Sequence, residues 1–171
     1  MNVYIKSLPD NDMTTKLIQA IPGMPKPVTE SEVERFLQSK LNMQLATLDE
    51  EGHPNIHPVW FYYDNASKVL FTGTQKGTKK VQNIRKDPDK IYFSIDDENY
   101  PYKGVKGRGV ASISDGKEKN LPIIEKINLK YLGTLDHPLA KMLMENTRNG
   151  TEVVIEIAPK YFSAWDFAKA Q

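Results

Sequence analysis

The spacing of apolar residues changes several times along this chain, and each change marks a new element. Val33, Phe36, Leu37 and Leu41 recur every three or four residues, the spacing of one helix face. Thr29 and Glu32 precede them at the capping-box spacing, so a helix is predicted to start there. Beyond Leu41 the period falls to two. Residues 43–48 read as a strand, 49–52 as a turn, and 55–63 as a longer strand with Pro58 inside it. Proline has no N–H to give a neighbouring strand, so this strand is predicted at an edge or at a bulge. Residues 64–67 read as a second hairpin turn and 69–73 as the third strand. A short basic helix over 78–86 turns Val81 and Ile84 inward. A fourth strand spans 91–96, and a loop rich in Tyr and Pro follows at 97–104. The fifth strand, 105–114, carries Gly107 and Gly109, which mark a bulge or a close approach. Helices over 121–132, closed by Gly133, and over 138–146 precede strands at 152–158 and 161–167. Short strands joined by hairpins, with helices between some of them, predict an α+β antiparallel β-barrel. No strand–helix–strand unit repeats, which excludes a doubly wound sheet.

The first 28 residues fit neither period. Pro22, Gly23, Pro25 and Pro27 crowd together, so residues 1–28 read as an arm or linker and 29–171 as the domain. Residues 12–21 are expected as a short helix within that arm.

Composition narrows the chemistry more than the fold. The net charge of +1 makes the molecule no general magnet for nucleic acid or anionic membrane. With no cysteine there is no disulfide, thiolate metal site or cysteine nucleophile. No run approaches the ~20 apolar residues of a membrane helix. The first residues lack a basic leader and an apolar core, and the expected location is the cytoplasm. Neither zinc nor a divalent-metal site is expected. His53 and His57 lie only two pleats apart on a strand, His137 is a helix-entry residue, and Asp96-Asp97-Glu98 reads as a hydrated turn.

One segment carries candidate chemistry. The strand ending in Thr72-Gly73-Thr74 runs into Gly77-Thr78-Lys79-Lys80 at a helix start. Free N–H groups and the positive end of a helix dipole favour an anion there. Thr74 and Thr78 add hydroxyls, and Lys79 and Lys80 add full charges. The Gly-Lys-Ser/Thr ending of a P-loop is missing. Two aromatic-rich strands alongside could wall a flat ring, which points to a phosphorylated cofactor. His57 is a polar lining candidate just before Pro58, Val59 and Trp60.

In order and spacing these pieces resemble the pyridoxamine 5′-phosphate oxidase-like family of split β-barrels, which bind FMN or the deazaflavin F420. The resemblance spans about residues 33–165. It rests on Leu45-Ala46-Thr47-Leu48, Gly52-x-Pro54, Pro58-Val59-Trp60-Phe61, Thr74-x-x-Gly77-Thr78-Lys79-Lys80-x-x-Asn83, Asp87-Pro88 and Gly109-Val110-Ala111. It implies an antiparallel split β-barrel with peripheral helices, working as a homodimer with the flavin at the interface. It implies that His57, Pro58, Val59 and Trp60 run along the ring and ribityl chain, that Gly73 and Thr74 lie near the ring or the phosphate, and that Thr78, Lys79 and Lys80 hold the phosphate. A second subunit would contribute from residues 100–106. The implied activity is FMN-dependent oxidation or reduction of a small organic substrate, with no catalytic side chain named. The alternatives are an F420-dependent reductase, with Lys103, Lys106 and Arg108 as a basic groove, and a non-catalytic flavin-binding protein. The chain ends Trp165-Asp166-Phe167-Ala168-Lys169-Ala170-Gln171, without the arginine of the Trp-x-x-x-Pro-x-Arg region that serves the B6 substrate in the true oxidases. Residues 120–146 resemble a family-specific insertion near the site.

Overall fold

A computed structural model describes residues 15–170. Eight strands form one sheet: β1 Lys16–Gln19, β2 Met43–Leu48, β3 Pro54–Val59, β4 Tyr62–Asp64, β5 Val69–Gln75, β6 Ile91–Asp97, β7 Lys103–Ser114 and β8 Glu152–Asp166. Four helices accompany them: α1 Glu30–Leu37, α2 Lys79–Lys86, α3 Lys117–Leu132 and α4 Pro138–Asn149. The sheet order is β3-β2-β6-β7-β8-β5-β4, antiparallel throughout, with β1 added in parallel to β8. β3 and β4 close opposite ends of that order, yet only Trp60 and Phe61 separate them in the chain. Three peptide steps reach at most about 11 Å. The sheet must therefore curl until its two ends nearly meet, which is the split barrel.

The concave face and the two helices that plug it make the main core. Met43, Leu45, Phe93, Ile95, Val105, Ile155, Ile157 and Phe162 pack there against Val33 and Leu37 of α1 and Ile84 of α2. The capping box at Thr29 forms as predicted: the Thr29 backbone N–H donates to Glu32 Oε2 at 2.8 Å, and Thr29 Oγ1 accepts from the Glu32 N–H. α3 and α4 pack on the opposite face, over β4, β5 and β8. A second cluster forms there from Ile124, Ile127, Met144 and Val154, with Trp60, Tyr62 and Phe71 against it. No helix is long and apolar enough to cross a membrane among the described residues.

Three expectations needed correction. Residues 16–19, expected as helix, form β1, because the edge of β8 offers a ladder that an isolated four-residue turn cannot match; residues 12–14 lie outside the described residues. The strand expected over 55–63 divides at Trp60–Phe61, where the chain crosses the split. The two C-terminal strands are one, β8, which passes through Pro159 at the point where β7 shifts register between Arg108 and Gly109. The bulge removes the need for a proline N–H. It also accounts for the two strand glycines, since a Cβ at Gly107 would run into the Phe93 ring and one at Gly109 into the Ala158 carbonyl.

Candidate functional site

The split in the barrel, the start of α2 and the inner surfaces of α3 and α4 enclose a cleft of about 360 Å³. Pro58, Val59 and Trp60 come from the end of β3, Gly73 and Thr74 from the end of β5, and Lys80 from the first turn of α2. Six residues expected at the site from sequence thus share one cleft. Ile124, Ile127 and Asn128 of α3, Leu139 and Leu143 of α4, and Glu152 at the start of β8 complete its wall. Sequence reasoning marked the helical segment as near the site, but not which of its faces looks inward. It missed Glu152 altogether, since an acidic residue opening an alternating strand resembles any solvated strand start.

Lys80 is the buried cation of the cleft, with 8% of its surface exposed. Its Nζ donates to Thr74 Oγ1 at 3.1 Å, and Thr74 Oγ1 lies 3.4 Å from Thr78 Oγ1. Thr78 occupies the N-cap position of α2, but its side chain caps nothing. The Val81 and Gln82 amides both turn back to the Thr78 carbonyl. The helix thus presents its first amide donors together with Thr74, Thr78 and Lys80, a set that suits an anion. Burial pulls the Lys80 pKa down, and the charge of Glu152 partly restores it. Glu152 itself is 5% exposed, and burial pushes its carboxyl up to about 7 against the attraction of Lys80. A Cβ added at Gly73 would lie 3.2 Å from Glu152 Oε1 and 2.5 Å from Ile124 Cδ1, so a glycine there lets strand, helix and carboxylate approach.

Two other expected residues stand apart from the wall. Lys79 leaves α2 on the exposed side and pairs with Glu50 of the β2–β3 turn at 2.9 Å. His57 lies opposite core residue Leu45 in register, so it faces the concave side. Its Nδ1 is enclosed without a hydrogen-bond partner. Burial, helped by the positive charge of Lys80, lowers its pKa and keeps the ring neutral.

The last turn of α3 fixes the strand break that carries Trp60. The Trp60 and Tyr131 rings stack 4.7 Å apart, only 3° from parallel. The Tyr131 hydroxyl accepts from the Phe61 N–H at 3.2 Å and donates to the Leu41 carbonyl at 2.8 Å. Lys130 Nζ sits 3.5 Å from the Phe61 ring centre and donates to the Leu37 carbonyl at 3.1 Å. Burial pushes its pKa down to about 7.

A larger cavity, about 480 Å³, lies between α1 and the Trp165 end of β8. Its wall takes in the first turn of α1 and Lys103, Gly104 and Val105 from the segment expected of a second subunit. Lys103 opens into it, close to the Phe36 ring, whereas Lys106 and Arg108 fall on the other face of β7. These three cations therefore form no single groove. Among the described residues no group of three or more His, Cys, Asp or Glu is placed to hold a metal ion.

A curled, split antiparallel sheet with a helix start at its rim defines a class of small barrels. The sequence pattern described as pyridoxamine 5′-phosphate oxidase matches residues 29–166, and the chain belongs to that family. No curated protein matches the sequence significantly. Among solved structures, a conserved hypothetical protein of Mycobacterium tuberculosis superposes with a TM-score of 0.71 at 24% identity, over 83% of this chain and 87% of that one. An F420 reductase superposes with a TM-score of 0.62 at 28% identity, over 80% of this chain and 98% of that one. The heme storage protein HutZ of Vibrio cholerae shares the fold at 16% identity, with a TM-score of 0.61 over 80% and 93% of the two chains.

Proposed function

We propose that the protein is a flavin-dependent oxidoreductase acting on a small organic molecule, with FMN held in the cleft of a homodimer. The observation that carries this reading is the buried Lys80 beside Thr74 at the start of α2, inside a cleft walled on one side by the β3 backbone. The residues present suit a phosphorylated flavin. Lys80, Thr74, Thr78 and the α2 amides receive the phosphate. Val59, the Trp60 main chain and the apolar faces of α3 and α4 flank the ring. The unsatisfied Nδ1 of His57 and Oδ1 of Asn128 are buried polar atoms still in need of partners. Bound there, the flavin supplies hydride or single-electron transfer at its ring. The protein's part is to anchor the phosphate, keep His57 neutral, and exclude water behind the Trp60–Tyr131 stack.

The outer face of the sheet supports the second copy. Ile56 and Tyr92, 61% and 52% exposed, flank Ala46 in register on that face. Arg108, next in the row after Tyr92, has a buried Nε with no partner. Such a row is ready-made for a two-fold contact. The F420 reading is the alternative, favoured by the 28% identity to an F420 reductase.

Titration with FMN, F420 and riboflavin, read by fluorescence and by light scattering, tests both readings. A phosphorylated flavin bound more tightly than riboflavin by a protein of twice 19.5 kDa is the expected result. Equal affinity for riboflavin and both phosphorylated flavins would overturn the phosphate seat, and a 19.5 kDa holoprotein would overturn the dimer.

A further inference from the structure

We propose that Glu152 makes phosphate capture in this cleft a proton-coupled event: its carboxylate balances Lys80 while the seat is empty and takes up a proton when a phosphate monoester dianion enters. The inference rests on the phosphate-seat reading above. Glu152 is buried on the same wall as Lys80, within contact distance of where a Gly73 side chain would stand. Lys80 Nζ spends its hydrogen bond on Thr74 rather than on Glu152. A net-neutral pair therefore occupies a seat built for an anion. An ionised carboxylate beside a phosphate dianion in a partly desolvated cleft is strongly disfavoured. A protonated Glu152 removes that repulsion and offers an O–H donor to a phosphate oxygen.

The surroundings leave little else to titrate against Glu152. α2 contributes Lys80, and β3 contributes His57, whose pKa the charge of Lys80 helps to lower. β5 contributes the neutral Gly73 and Thr74, and the nearby cleft residues of α3 and α4 are neutral. Lys76 is engaged with Asp115, and Lys117 lies outward against Gly150. Burial already holds the Glu152 carboxyl at about 7, and an added dianion raises it further. Above that pH the free protein must first acquire a proton to bind. A group of pKa about 7 is protonated in half the molecules at pH 7 and in about one of 30 at pH 8.5, so affinity falls roughly 15-fold across that window. The phosphate itself is already largely dianionic there, its second pKa being about 6.

The experiment is calorimetric and fluorimetric titration of the full-length protein with FMN and with riboflavin between pH 7 and 8.5, in buffers of different ionisation enthalpy. Wild type is expected to take up close to one proton per FMN at pH 8.5 and none with riboflavin. Glu152→Gln is expected to bind FMN with no slope over this window, about 30-fold tighter than wild type at pH 8.5. A slope that persists in Glu152→Gln assigns the proton to Lys80 or elsewhere and overturns the inference. If Glu152→Gln does not fold, Glu152→Met carries the same expectation, loss of the proton uptake and of the slope, and uptake that persists in it overturns the inference. FMN bound more tightly than riboflavin without proton uptake sinks this inference alone. FMN no tighter than riboflavin at any pH sinks the phosphate seat with it.

Discussion

Lys79 and Lys80 are neighbours in sequence with the same side chain, and the structure predicts unequal consequences for removing them. Lys80 is buried in the cleft with its Nζ on Thr74; Lys79 pairs with Glu50 in solvent. A charge-assisted hydrogen bond contributes about 1.5–3 kcal/mol. Lys80→Met should therefore weaken FMN binding roughly 10- to 150-fold. An exposed ion pair contributes about 0–1 kcal/mol, so Lys79→Met should cost at most about fivefold. The fold should survive both changes. Methionine replaces a desolvated amine with an apolar chain of similar length, and losing one member of a buried pair is costly where it leaves the other charged. Measured at pH 6, where Glu152 is mostly protonated, Lys80→Met leaves no uncompensated charge behind. The assay is fluorescence quenching by FMN and by riboflavin, alongside a urea melt for each variant. Riboflavin affinity should be nearly unchanged in both. Equal FMN losses from the two lysines, or equal losses of FMN and riboflavin with Lys80→Met, would refute the placement of the phosphate at the start of α2.

Two further predictions concern the turn of α3 that holds the strand break. Tyr131→Phe keeps the stack on Trp60 but leaves the Phe61 N–H and the Leu41 carbonyl without the hydroxyl, so urea denaturation should show a loss of about 2 kcal/mol; a change under about 0.5 kcal/mol would mean that water replaces it. Lys130 has a folded pKa near 7, below the 10.5 of the unfolded chain, so between those values the unfolded state binds the extra proton and stability rises with pH. Lys130→Met should abolish that rise and be neutral or stabilising at pH 7; parallel stability–pH curves for the two proteins would show that Lys130 remains charged in the fold.

Much of this architecture is local physics, which is why it could be read from the chain. The period-two run of β2 is the strand the structure contains, because one face of it is buried. Thr29 and Glu32 satisfy each other within one turn, and His137 caps α4 through Nδ1, as a residue before a helix-opening proline can. The anion-suited segment from Thr74 to Lys80 is likewise a strand end followed by a helix start. The curl of the sheet belongs to the whole molecule, because it brings together strands that are adjacent in sequence but opposite in sheet order. So does the fate of residues 16–19, whose pairing partner lies some 145 residues further along. The division of labour between the two lysines has the same origin. A helix turns about 100° per residue, so adjacent side chains leave in different directions, and only the docking of α2 on the barrel decides that Lys80 goes into the cleft and Lys79 into water. Glu152 became part of the cleft for the same reason: nothing in its own stretch of chain refers to Lys80, and the pairing of β8 with β5 brings them to one wall.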